Sequence, residues 1–391
     1  MTSPSDPATD PLLAALNPPQ REAVQTTEGA VLMLAGAGTG KTAALTSRLA
    51  HIVRSRLAWP SEILCVTFTN KAAREMRERV THLIGPAAES MPWLGTFHSI
   101  AAKMLRRHAE LAGLEPNFTI IDPDDQLRLL KQLIQAEGID DKRWPPRQLA
   151  NAIDGWKNRG LRPDDLDAAD NESFASGRGQ HCYRLYQARL KALNACDFGD
   201  LMLHMLAILR QHREVLESWQ QRFKYIMVDE YQDTNQVQYL WLRLLAQARG
   251  NICVVGDPDQ SIYGWRGADL SNIMDFEQAF PGAAVIKLGE NFRSTEPILA
   301  VADTLKATSA EAVRWLRELD LTPILLTGIW GGHVADRVDR RKLLFATQTA
   351  AMLLAIGLVG RARAGGRTLV IELARHLVGI GVLLAVVVGG C

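Results

Sequence analysis

The run Ala35-Gly36-Ala37-Gly38-Thr39-Gly40-Lys41-Thr42 carries the residue types of a phosphate cradle. Glycine adopts backbone angles that side chains forbid, so successive N–H groups can turn inward around phosphate oxygens. In such a loop Lys41 neutralises the β- and γ-phosphates and the Thr42 hydroxyl holds Mg²⁺, although Ala35 stands where the strict pattern has glycine. A second group is Ile226-Met227-Val228-Asp229-Glu230-Tyr231-Gln232-Asp233, an apolar strand that ends in paired acids. Asp229 suits Mg²⁺ through water, and Glu230 suits orienting and deprotonating an attacking water. A third group runs from Val254-Val255-Gly256-Asp257-Pro258-Asp259-Gln260 into Tyr263-Gly264-Trp265-Arg266. Gln260 is placed to sense the γ-phosphate. Tyr263 and Trp265 with Arg266 combine flat π-faces and a cation, which suits stacking on unpaired bases at about 1–3 kcal/mol per base.

Chemistry of this kind needs a strand before each group. Val31–Leu34, Ile63–Thr67, Tyr225–Val228, Ile252–Val255 and Val285–Leu288 read as buried parallel strands, alternating with amphipathic helices. Helical spacing from Ala43 to Val53 places the helix dipole beneath the phosphate loop. The predicted class is α/β with a largely parallel sheet. Between Leu105 and Leu193 strands nearly vanish, and the stretch reads as a helical insertion carrying Trp144 and Trp156.

At 391 residues the chain has room for two or three cores. A net charge of +1 excludes attraction to nucleic acid by overall charge, so DNA binding calls for a local cleft. Cys65, Cys182, Cys196, Cys253 and Cys391 lack metal-ligand spacing and fit a reducing cytoplasm. Residues 1–10 show no signal-peptide pattern and read as a disordered tail.

In their order along residues 16 to about 303, these groups resemble the UvrD/Rep/PcrA type of superfamily 1 DNA helicases. That resemblance implies a RecA-like P-loop core, ATP and Mg²⁺ as cofactors, and 3′ to 5′ movement on single-stranded DNA or DNA with a 3′ single-stranded tail. Leu16-Asn17-Pro18-Pro19-Gln20 resembles the Q motif, which implies that Gln20 reads the adenine edge. Thr67-Phe68-Thr69-Asn70-Lys71 resembles motif Ia, implying base stacking by Phe68 and a strand contact by Asn70. Gly95-Thr96-Phe97-His98 resembles motif Ib, a further single-strand contact through Thr96 and His98. Cys196-Asp197-Phe198-Gly199-Asp200-Leu201 matches a family segment ahead of the Asp-Glu strand. Gly289-Glu290-Asn291-Phe292-Arg293-Ser294 resembles motif IV, implying an arginine finger at Arg293 and adenine packing by Phe292. Family members often carry arginine directly after the loop threonine, where this chain has Ala43.

The domain boundaries expected are a core at 11–108 and 195–283, a helical insertion at 109–194, and the start of a second motor domain at 284–303. Residues 304–391 form an atypical apolar tail. Ala302 to Gly328 is similar to cation-transporting P-type ATPases, and Gly332 to Lys342 to the cytoplasmic loop of major facilitator transporters, with Leu343–Val359 resembling the next membrane helix. The tail reads as a mosaic and not as a transport domain, with membrane association as its physical consequence. The resulting expectation is a helicase or translocase truncated in its second motor domain and impaired in unwinding. The alternatives are a catalytically inactive ATP- and DNA-binding module, or a membrane-associated chimeric product.

Overall fold

The apolar runs become a parallel sheet because helices between them return the chain to the same edge. In the computed structural model, residues 10–261, 267–292 and 294 are described. Their strands are β1 (Val31–Ala35), β2 (Ile63–Thr67), β3 (Leu94–Thr96), β4 (Thr119–Ile120), β5 (Ala195–Cys196), β6 (Tyr225–Val228), β7 (Ile252–Gly256) and β8 (Ala284–Leu288). Six lie in the order β3-β2-β6-β7-β1-β8, and every neighbouring pair is parallel. β4 and β5 form a separate short ladder. All six C-terminal ends therefore open on one edge, which is where open α/β sheets place ligands.

Both faces of the sheet are covered, as a parallel sheet requires. One core packs Leu32, Leu64, Val66, Val228 and Val254 against residues of the helices Phe97–Arg107, Phe198–Gln211 and Gln236–Ala246. The opposite core packs Val31, Met33, Cys65, Met227 and Val255 against Leu45, Leu49 and Ile52 of the helix Lys41–Arg54 and against Met76 and Val80 of the helix Asn70–Ile84. The alternation of faces along β1, with Val31 and Met33 on one side and Leu32 on the other, follows from the two-residue period of a strand.

Residues between the core segments build a third core, with Leu130, Ile134, Leu149, Ile153, Trp156, Phe174, Tyr183 and Tyr186 buried together. It is seamed to the sheet unit by Lys157, which is fully buried. Its ammonium lies 2.6 Å from Asp197 and 2.7 Å from Asp200, at the start of the helix Phe198–Gln211. The Tyr186 hydroxyl donates to Asp197 at 2.9 Å, and the Gln187 amide to Asp200 at 2.7 Å. Burial disfavours the charge on Lys157, but Asp197 and Asp200 more than offset that and drive its pKa upward.

The five expected strands form, with ends moved by at most one residue at β1, β7 and β8. β3 was not anticipated, since three residues give too short a pattern to read. Cys65, Cys182, Cys196 and Cys253 are buried and free. Among the described residues no helix is long and apolar enough to cross a membrane. The expectations for Tyr263, Trp265, Arg266 and Arg293, for residues 1–9, for 295–303 and for the tail at 304–391 fall outside the described residues.

Candidate functional site

The phosphate loop links the end of β1 to the helix Lys41–Arg54. Gly40, at the N-cap of that helix, has φ 81°, and Gly38 has φ 80°, both in the left-handed region that glycine occupies without strain. A Cβ at Gly40 would lie 2.6 Å from the Gln20 amide nitrogen. The loop closes on itself through the Thr39 hydroxyl, which donates to the Gly36 carbonyl at 2.9 Å. Two segments brace it from outside. Gln20 donates through Nε2 to the Thr39 carbonyl at 3.0 Å, while its Oε1 accepts from the Asn17 N–H at 3.2 Å. Beyond β8, the Phe292 N–H donates to the Gly38 carbonyl at 2.9 Å and the Asn291 amide to the Ala37 carbonyl at 2.6 Å.

Two strands across the sheet, β6 delivers the acids. The Lys41 ammonium lies 3.2 Å from Glu230 Oε2. Asp229 is buried, its N–H donating to the Val66 carbonyl of β2 at 3.0 Å and its Oδ1 accepting from the Glu230 N–H at 3.1 Å. Burial first, and then the neighbouring Glu230 charge, push the Asp229 carboxyl up to about 6, with Lys41 opposing. Glu230 has φ 52°, a left-handed conformation that costs a non-glycine residue energy and clusters at functional sites. The Thr42 hydroxyl and the Asp229 carboxylate are hard oxygen donors of the kind Mg²⁺ takes, so these residues fit the ion.

The turn after β7 completes the group. Gln260 ends the short 3₁₀ segment Pro258–Gln260, with its N–H donating to the Asp257 carbonyl at 3.0 Å and its amide to the Asp257 carboxylate. Lys41, Asp229, Glu230 and Gln260 thus follow β1, β6 and β7, which are adjacent in the sheet. Three residues at this site had no assigned role in the sequence. Gln232 is buried and joins Glu230 to the Asp257 N–H. Asp233 is buried with Oδ1 lacking a hydrogen-bond partner, and its carboxyl is pushed up to about 6 by burial and by Glu230. Arg48 donates to the carbonyls of Ala23, Thr26 and Thr27, at the end of the helix Pro18–Gln25 that carries Gln20.

On the other side of the acids, β2 and β3 present a second set. Phe68 is half-buried just past β2, and Asn70 is exposed at the first position of the helix Asn70–Ile84. Thr96 caps the helix Phe97–Arg107, its hydroxyl accepting from the Ser99 N–H at 3.3 Å. His98 is half-buried, and burial lowers its pKa. Its ring meets Phe198 edge to face at 6.1 Å, and Phe198 is 51% exposed. Both line a cleft of about 210 Å³ that also touches Gln126, Asp154 and Asn158 of the insertion.

The family model for the UvrD/REP helicase N-terminal domain matches residues 16–281. The chain belongs to the UvrD/REP helicase family. It is 50% identical over 293 residues to a probable DNA helicase II homolog of Rickettsia felis, covering 74% of this chain and 44% of the relative. It is 46% identical over 300 residues to the ATP-dependent DNA helicase PcrA of Staphylococcus epidermidis, covering 77% of this chain and 41% of the relative. The PcrA of Staphylococcus aureus matches at the same identity and coverage. The chain therefore spans under half the length of these curated relatives. The parallel sheet is the RecA-like α/β core expected of the UvrD/REP helicase N-terminal domain. Gln20 has its amide engaged at both ends, and Phe292 is 60% exposed beside the loop. Ala43, where family members often have arginine, is exposed on the helix that starts at Lys41.

Proposed function

We propose that this chain is the ATP-binding half of a DNA-dependent ATPase that moves 3′ to 5′ on single-stranded DNA. The observation that carries the reading is the 3.2 Å approach of Lys41 to Glu230, across residues 189 apart in sequence. A cation that suits phosphate and a carboxylate that suits water meet at one point of the sheet edge. The amides of Gly36 to Lys41 bind the phosphates, and Lys41 balances their charge. Thr42 and Asp229 would hold Mg²⁺, which would neutralise phosphate charge when bound. Glu230 orients a water in line with the γ-phosphorus. As the water oxygen bonds to phosphorus, the bond from phosphorus to the ADP oxygen breaks, and Glu230 takes the water proton. Gln260 follows the γ-phosphate from β7, and Arg293 would act as the arginine finger. Gln20 and Phe292 flank the loop where the adenine would lie.

Phe68, Asn70, Thr96 and His98, with Tyr263, Trp265 and Arg266, would carry the strand by stacking and polar contact. ATP turnover is the readout suited to the site at the Lys41–Glu230 edge. ATPase assays with and without single-stranded DNA test the reading. Lys41→Ala should abolish DNA-stimulated hydrolysis. An unchanged rate in Lys41→Ala would remove its basis.

A further inference from the structure

Gln232 holds two parts of the nucleotide edge with one amide. Its side chain is engaged at both ends of the amide and almost wholly buried, at 1% exposure. Oε1 accepts the Asp257 N–H at 3.0 Å, and Nε2 donates to Glu230 Oε2 at 2.8 Å. The orientation of the amide follows from chemistry, because the backbone N–H can only donate and the opposite end must then be the NH₂. Asp257 in turn holds Gln260 by both its carbonyl and its carboxylate. The Ser261 hydroxyl reaches back to the Gln232 carbonyl at 3.4 Å. The path from the carboxylate to the γ-phosphate sensor is therefore Glu230, Gln232, Asp257, Gln260.

The surrounding backbone is shaped to admit this side chain. A Cβ at Gly256 would lie 2.9 Å from Gln232 Oε1 and 2.6 Å from Ile273 Cδ1, so only glycine leaves the amide its place. Glu230 sits at φ 52°, a conformation that persists only where its surroundings hold it. Lys41 and Gln232 both contact Glu230 Oε2. A γ-phosphate drawing Lys41 to itself leaves Gln232 as the side-chain donor that fixes that oxygen.

We propose that Gln232 is a positioning residue, tying the water-orienting carboxylate of Glu230 to the Asp257–Gln260 turn so that base and sensor are set together. The proposal rests on the ATPase reading above. A positioning role of this kind acts on the chemical step and leaves nucleotide binding to the loop at Gly36–Thr42.

Steady-state ATP hydrolysis at saturating single-stranded DNA is measured for the full chain, for Gln232→Glu and for Gln232→Met. Gln232→Glu keeps the acceptor for the Asp257 N–H but sets a second carboxylate against Glu230, whereas Gln232→Met removes both bonds. Both variants should lose on the order of 10- to 100-fold in kcat, the scale of a misplaced reacting group. KM for ATP and the affinity for a fluorescent ADP should stay within about twofold, since uniform binding is untouched. Combining Gln232→Glu with Glu230→Gln should add no further loss in single-turnover hydrolysis, because the amide works through that carboxylate. A normal kcat in Gln232→Glu, a loss confined to KM, or additive losses in the double variant would each overturn the role. If Gln232→Met does not fold, Gln232→Glu and the double variant still decide. An unmodified chain that hydrolyses no ATP overturns the functional reading and this role with it. Ordinary turnover in the unmodified chain with undiminished Gln232→Glu overturns the role alone.

Discussion

Asp229, the carboxyl proposed to hold Mg²⁺, also has a raised affinity for a proton. Its pKa is raised to about 6, so the folded chain keeps this proton to higher pH than the unfolded chain does. The stability contributed by that preference is present below the ordinary aspartate value of ~4 and is lost as pH rises through about 6. Magnesium binds the charged form, so proton and ion compete for it. The Mg²⁺ concentration for half-maximal ATPase should rise several-fold as pH drops from about 7.5 to about 5.5. A requirement that stays flat over that range would count against Asp229 as the holder of the ion. Asp233 shows the same direction, with an unpartnered Oδ1 and Glu230 nearby. Asp233→Asn removes a buried like charge, and should raise the thermal midpoint by roughly 1–4 °C near neutral pH. The gain should shrink towards about pH 5, where the native carboxyl is already neutral. Thermal unfolding at the two pH values checks it.

At the level of elements, the helix Pro18–Gln25 is held at both ends. Gln20 reaches the phosphate loop from its first turn, and Arg48 satisfies the carbonyls at its last. Arg48→Met should leave those buried carbonyls short of donors at a cost of about 1–3 kcal/mol. It should also raise KM for ATP with kcat nearly intact, because the helix only braces the loop; a loss of kcat alone would sink the idea. Neither Arg48 nor Gln232 was legible as functional in the sequence. Each bonds a backbone group more than 20 residues away, and no spacing rule announces such a bond. Lys41, Thr42, Asp229 and Glu230 were legible as candidates because phosphate and water chemistry restricts residue type and neighbours. The strands β1, β2, β6, β7 and β8 were legible as apolar runs between turn signals, whereas Leu94-Gly95-Thr96 is short and interrupted by glycine. Phe198 lay inside a recognisable segment, but only folding brings it to His98, a hundred residues earlier.

Taken as a molecule, the sheet order divides labour along one edge. The β6-β7-β1 portion presents Lys41, the acids and Gln260, while β3 and β2 present Thr96, His98, Phe68 and Asn70. β2 and β6 are directly paired, with Val66 opposite Val228, so the two sets meet at one ladder. Phe68→Ala should therefore lower the stimulation of ATPase by single-stranded DNA while leaving KM for ATP and the DNA-free rate nearly unchanged. Titration of the ATPase with DNA checks this, and undiminished stimulation would remove Phe68 from the strand path. The seam between sheet and insertion has its own mechanical meaning. A lone ammonium buried between two carboxylates cannot be pulled from its socket without separating charges that pair only with each other there. Tilting the insertion against the sheet unit therefore has to work against that ion cluster. The two parts should lever as one solid arm, and not flex like a hinge.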